Sequence, residues 1–196
     1  MLVGAYLPVL IFDALGQVVP DRVLAAGGSP HWGINQSGID NSGKPTANML
    51  SFNGGMGASH LDDGPNVVSW PTDASCVLVE ISEQITPLRI RHKRMRANSD
   101  GPGRFRGGVD QEILFESRDK DAIAVSFLAG GRRAHRARSA STARRSIPSA
   151  NVLRRGETVL LATPGGGGHG DPRTRDREAV ARDLTEGYVT DASPYV

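Results

Sequence analysis

The first apolar run of the chain has helical spacing. Leu7, Leu10, Ile11, Ala14, Leu15 and Val18 recur at i, i+3 and i+4, which predicts a helix within residues 2–23. Pro8 suits a first turn, and Pro20-Asp21 ends or kinks the pattern. Tyr6, Val9 and Phe12 fall outside the stripe, so this helix is apolar on more than one side, the type buried inside a larger body. Residues 25–66 carry no such period and read as mostly loop, in a Gly-rich region spanning 25–70. Val77–Ile81 is a short apolar run that fits either helix or strand. Beyond it the period drops to two. Leu88, Ile90, His92 and Arg94 alternate with Arg89, Arg91 and Lys93; Gln111–Ser117, Ala122–Leu128 and Thr158–Thr163 read as strands. The charged turn Arg118–Asp121 is expected to join two of these as a hairpin. The last element is a helix with Asp176 at its N-cap, Val180 and Leu184 on one face, and Gly187 at a left-handed C-cap.

These elements predict an α+β chain, strand- and loop-rich, with helices at both ends. Its regions are a buried-type helix at 1–24, the Gly-rich region at 25–70, a strand-rich region at 71–172, and a C-terminal helix and tail at 173–196. Composition agrees: 24 glycines and 12 prolines in 196 residues are roughly half as many again as usual. The single cysteine, Cys76, excludes an intrachain disulfide and a cysteine-based zinc cluster. The first apolar run is shorter than the ~20 residues a membrane span needs and contains Asp13. No Lys or Arg precedes Arg22, so it also lacks the form of a secretion signal. The expectation is a soluble, cytoplasmic chain.

Charge changes the picture only locally. The net charge is +2, and Arg132, Arg133, Arg136, Arg138, Arg144 and Arg145 exceed it within a stretch that holds no acid. Such a tract can bind nucleic acid phosphates. It lacks aromatic residues for stacking on bases, and a solvated loop is the simpler reading.

Candidate chemistry centres on glycine. In Pro164–Pro172 four consecutive glycines, Gly165 to Gly168, follow a strand, and their N–H groups can form a concavity for an anion or a developing oxyanion. No Lys-Ser or Lys-Thr follows, so it is not a nucleotide-binding P-loop. A tight, close-packed connection without ligand explains the same residues. Asn53-Gly54-Gly55-Met56-Gly57 permits a similar approach of backbone to a ligand or to another chain. His31, His60, His92, His135 and His169 lie too far apart for a standard metal motif. His60 with Asp62 and Asp63 suits a polar loop better than a metal, and no nucleophile-elbow pattern occurs.

Four motifs in order make a more specific pattern: Phe52-Asn-Gly-Gly-Met-Gly-Ala58; Asn98-Ser-Asp-Gly-Pro-Gly-Arg-Phe-Arg-Gly-Gly108; Glu157–Pro172; and Arg175–Val189. Together they resemble the hydantoinase B/oxoprolinase family, from about Ala14 to Tyr188 and only over that family's C-terminal part. The resemblance implies ATP-dependent hydrolysis of the C–N bond of a small cyclic amide, of hydantoin or 5-oxoproline type. An A-type subunit would bind ATP and magnesium and phosphorylate the amide oxygen. A B-type subunit would complete hydrolysis, its divalent metal held in the N-terminal part, which this sequence does not match. The chain alone is expected to bind no cofactor and to be inert. The resemblance places Asn53, Gly54, Gly55, Gly57, Arg104, Arg106, Gly165, Gly166, Gly167, Gly168 and Asp171 near substrate or a subunit interface, with no catalytic residue assigned. Arg104 and Arg106 serve equally well to hold a turn by pairing with carboxylates. His169 is expected to pack rather than to transfer a proton. Alternative readings are a non-catalytic remnant or assembly subunit, and a basic nucleic-acid-binding module. Segment 132–149 departs from the family pattern, and its Ala/Arg/Ser composition is that of a local reading-frame slip recovering near Ile147-Pro148-Ser149.

Overall fold

Alternating side chains build two antiparallel four-stranded sheets that share one core. The computed structural model describes residues 2–28, 32–39, 42–68, 70–71, 76–129, 140–141 and 151–196. One sheet holds β1 (Trp32–Ile39), β2 (Pro45–Phe52), β5 (Ile123–Ala129) and β7 (Asn151–Leu153), in the order β2-β1-β5-β7. The other holds β3 (Leu88–Met95), β4 (Gln111–Ser117), β6 (Ala140–Ser141) and β8 (Thr158–Ala162), in the order β3-β4-β8-β6. Strand residues alternate between the faces of a sheet. In β4 this sends Gln111, Ile113, Phe115 and Ser117 inward. Ile34, Leu50, Phe52, Ile123, Val125 and Leu153 from the first sheet meet Leu88, Ile113, Phe115, Val159 and Leu161 from the second. Phe52 and Phe115 contact edge to face across this core, ring centroids 5.5 Å apart. Burying each such side chain contributes about 1.5–3 kcal/mol.

Among the described residues, three α-helices lie outside the sandwich: α1 (Leu2–Leu15), α2 (Val79–Ile85) and α3 (Arg177–Thr185). The α+β class, the strands β3, β4, β5 and β8, and both terminal helices agree with the sequence. Asp176 caps α3 by accepting from the Glu178 N–H, and Gly187 has the left-handed φ of +75° expected beyond its end.

Two expectations are corrected. The first is the loop at residues 25–66, which contains the β1–β2 hairpin, paired from Trp32↔Phe52 to Ile39↔Pro45. Gly33, Asn35, Gln36, Ser37 and Gly38 disfavour a strand locally, but β1 is flanked on both sides, by β2 and by β5. Pairing therefore overrides propensity. The second is the β4–β5 hairpin. Both edges of β4 are occupied, by β3 and β8, so Arg118–Asp121 carries the chain from one sheet to the other. α1 keeps its expected spacing, and its Leu7, Leu10, Ile11 and Leu15 are exposed. The ambiguous run at Val77–Ile81 resolves into α2. Of the described residues, no helix is long and apolar enough to cross a membrane. The arginine tract lies outside the described residues, except for Ala140 and Ser141.

Candidate functional site

Glycine-rich segments gather where both sheets end on the same side. β2 and β8 finish there, β4 begins there, and their ends are tied together. The Asn53 carbonyl accepts from Gln111 Nε2 at 2.8 Å and from Thr163 Oγ1 at 3.0 Å. Beyond these ties, residues 25–28, 53–58, 101–108 and 164–169 run beside one another, joined by backbone hydrogen bonds. Gly28 N–H donates to Gly55 O, Gly55 N–H to Pro164 O, Gly108 N–H to Met56 O, Gly166 N–H to Gly108 O, and Gly167 N–H to Ala26 O, all within 2.7–3.1 Å. The strands of this bundle touch backbone to backbone. A β-carbon on Gly55 would stand 1.8 Å from Gly108 O, and one on Gly166 would stand 1.9 Å from Met56 O. No side chain fits there, which is the physical reason for glycine at these positions.

The structure thus brings Asn53, Gly54, Gly55, Gly57 and Gly165 to Gly168 together. It also shows where several of their donors go. The N–H groups of Gly55, Gly166 and Gly167 bond carbonyls of the bundle itself and are not directed at an external anion.

Behind the bundle lies a four-membered ionic cluster that fastens α3 to it. Arg106 Nε donates to Asp183 Oδ1 at 3.1 Å. Arg175 donates from Nη2 to Asp183 Oδ2 at 2.7 Å, and grips Asp63 with both Nη atoms at 2.6 and 2.7 Å. Asp63 also accepts from the Arg106 backbone N–H at 2.7 Å. Arg106, Arg175 and Asp183 are buried. Two aromatic rings close the cluster: Arg106 lies over Tyr188 at 5.0 Å and Arg175 over Tyr195 at 5.8 Å. Two positive and two negative groups alternate, so burial leaves no net charge.

The environment sets the ionisation of this region. Burial would raise the Asp63 carboxyl, but hydrogen bonds from Arg175 and the Arg106 amide, with the charge of both arginines, hold it below its ordinary value. For Arg175, burial is outweighed by Asp63 and Asp183, which keep the guanidinium charged. Asp100 goes the other way: burial raises it, with Arg106 opposing. Burial raises Tyr195 as well, and the Asp100 charge adds to that.

The two arginine candidates separate. Arg106 takes the carboxylate-pairing role. Arg104 is exposed, its guanidinium 5.4 Å from the Phe105 ring, and its carbonyl accepts from Arg175. Asp171 is exposed and acts locally, accepting from the Arg173 N–H and pairing with the Arg173 guanidinium. His169 pairs through its backbone with Phe105, and its Nε2 lies 3.3 Å from Pro20 O. Asp63 is committed to Arg175, so His60, Asp62 and Asp63 do not converge. Among the described residues no group of three His, Cys, Asp or Glu side chains is arranged to hold a metal.

Sequence reasoning missed Arg175 and Asp183 as partners. The available signal was α3 itself, where Asp183 lies three residues after Val180 on the inward side while Leu184 is exposed.

Comparison with known proteins agrees with this architecture. The sequence pattern of the hydantoinase B/oxoprolinase family matches residues 1–172. The caprolactamase β chain of Pseudomonas jessenii is 28% identical over 90% of this chain and 35% of its own length. A putative D-/L-hydantoinase of Pseudomonas sp. (strain NS671) has a B-type subunit that is 26% identical over 92% of this chain and 33% of its own length. The chain therefore spans about a third of the curated relatives it matches. Its fold is shared with the crystal structure of ATP-dependent caprolactamase from Pseudomonas jessenii, at a TM-score of 0.79 and 22% identity over 93% of this chain and 37% of that one. Nucleotide-free acetone carboxylase is similar at a TM-score of 0.69 and 19% identity, over 92% of this chain and 31% of that one.

Proposed function

The chain belongs to the hydantoinase B/oxoprolinase family, and we propose that it forms about a third of a B-type subunit that opens small cyclic amides at the expense of ATP. The observation that carries this reading is the family match over residues 1–172. Relatives described as caprolactamase and hydantoinase subunits support the substrate class: a lactam, hydantoin or 5-oxoproline ring. An A-type partner subunit would bind ATP with magnesium and transfer its terminal phosphoryl group to the amide oxygen. Water then adds to the ring carbon, the C–N bond breaks to release the amine and leave an acyl phosphate, and a second water attacks that acyl carbon and displaces phosphate with the oxygen it carries, leaving a carboxylate. Phosphorylation is what makes the oxygen a leaving group. The described residues do not fit a metal site, so on this reading the divalent ion of the full B-type protein is held in its other part.

This chain's own contribution is a rigid wall of the reaction chamber. The bundle formed by residues 53–58 and 164–169 is proposed to face the substrate or the subunit interface, with the Arg106–Asp183–Arg175–Asp63 cluster fixing it from behind. The test is reconstitution of the chain with an A-type subunit and the rest of a B-type subunit. Ring opening of caprolactam, hydantoin or 5-oxoproline, coupled to phosphate release, is expected only when all parts and ATP are present. Failure of the full assembly on all three rings refutes the reading. A second reading is a purely structural subunit of such an assembly, favoured by the internal use of the Gly55, Gly166 and Gly167 donors. It predicts assembly without any effect of this chain on turnover.

A further inference from the structure

α1 presents an apolar stripe that the described residues leave uncovered. Leu7, Leu10, Ile11 and Leu15, at i, i+3, i+4 and i+8, are 58%, 50%, 45% and 43% exposed. They share one side of the helix. Val18 and Val19 extend the stripe beyond its end. The helix carries one charge, Asp13. Phe12 of α1 stacks on Trp70 at 5.4 Å. Leu61, Met95 and Val152 are exposed on other segments, and the shorter α2 carries a smaller exposed set, Leu78, Ile81 and Ile85. A continuous stripe of aliphatic side chains marks a surface that another body covers.

The length of the relatives says what that body is. The matched region takes in at least 90% of this chain but about a third of each curated relative. Two thirds of a B-type subunit thus have no counterpart here. We propose that α1 is the docking helix for that remaining two thirds, which would meet Leu7, Leu10, Ile11 and Leu15 with an uncharged aliphatic face. The inference rests on membership of the B-type subunit, not on its catalysis. A second copy of this chain is the competing occupant. It is disfavoured because it would satisfy the stripe while leaving the B-type subunit without two thirds of its length.

The experiment uses the full 196-residue chain in the cells that encode it, with photoreactive p-benzoylphenylalanine in place of Leu10. Irradiation is expected to cross-link it to a polypeptide whose peptides map to the unmatched two thirds of a B-type subunit. Ile11→Glu in the same chain should cut that adduct roughly thirtyfold, with the circular dichroism spectrum unchanged. Ile81→Glu on α2, a similarly exposed apolar position, should leave it intact. A cross-link only to a second copy, only to an A-type subunit, or to nothing overturns the proposal. So does an adduct indifferent to Ile11→Glu. The cross-link needs no turnover. An inactive assembly that still forms it removes the proposed activity and keeps the docking helix, whereas an active assembly without it does the reverse.

Discussion

Phe115 and Leu161 sit in the sandwich, and Gly55 and Gly166 sit in the bundle at its end; all four are buried. In the sandwich, aliphatic and aromatic side chains from two sheets fill a shared space, and stability comes from apolar area removed from water. In the bundle there are almost no side chains. Stability comes from backbone hydrogen bonds made possible by close approach, and from three arginine–aspartate pairings behind them. The first arrangement depends on volume, which neighbouring side chains can share. The second depends on absence of volume, which nothing can share. Equal burial therefore does not mean equal tolerance.

The sharpest test of that contrast adds one methyl group. Gly166→Ala puts a β-carbon 1.9 Å from the Met56 carbonyl oxygen, against backbone that itself accepts from Gly108 N–H. We expect a loss above ~4 kcal/mol, seen as failure to recover folded protein or as collapse of the urea midpoint. Gly156→Ala is the control: Gly156 has a φ of +81° with open space around it, so only backbone strain of about 1 kcal/mol is expected. Similar losses at the two positions would break the comparison.

The next effect concerns the ionic cluster. Arg175→Ala leaves Asp63 and Asp183 without the guanidinium that bridges them. Removing one member of a buried pair costs about 3–5 kcal/mol, measurable by urea denaturation. Arg175→Lys should recover little, because one ammonium cannot reproduce the two-pronged grip on Asp63 while also reaching Asp183. A loss below ~1 kcal/mol for Arg175→Ala would show that α3 is held by other means.

The two regions also differ in how far the sequence disclosed them. The sandwich was readable where apolar residues alternate, as in Gln111–Ser117 and Thr158–Ala162. It was unreadable in β1, where the inward positions include Gln36 and where Gly38 takes the space of a side chain. A β-carbon on Gly38 would stand 2.7 Å from an Ile123 methyl. That strand exists because its neighbours pair with it, which no local pattern records. Arg118–Asp121 looked like a hairpin turn because turn chemistry is local, whereas the choice of sheet depends on which edges are already filled. In the bundle the glycines were conspicuous, but their partners were not. The cluster joins positions 63, 106, 175 and 183, and no spacing rule connects residues so distant. The end of α3 was clear because Asp176 and Gly187 act on their own neighbours.

A smaller effect tests the tolerance of the sandwich. Leu161 is 2% exposed, and Gly166 is buried too. Leu161→Met keeps nearly the same volume in a flexible, apolar chain, so a cost below ~1.5 kcal/mol is expected. Comparable damage from Leu161→Met and Gly166→Ala would mean that both regions are packed to the same rigidity, and the distinction between shared and forbidden volume would fail.

The smallest effect is one of pH, and it has opposite signs at two carboxylates of the bundle. Asp63 is held below its ordinary value by its arginine partners, against the effect of burial. Between the folded and unfolded values the unfolded chain binds more protons, so stability falls as pH falls. Asp63 therefore contributes stability that is complete above the unfolded value, about 4, and is lost as pH drops through the lower folded value. Asp100 is raised by burial; its cost is present at neutral pH and is relieved as pH falls through its raised value. Urea midpoints measured from pH 6 to pH 3 should therefore decline less steeply in Asp63→Asn than in the wild type, and more steeply in Asp100→Asn. The differences should be modest, because 36% of the Asp63 side chain meets solvent and salt screens it. Parallel acid limbs in all three proteins would show that the cluster is held by shape and hydrogen bonding alone, with charge adding nothing to the bundle's hold on α3.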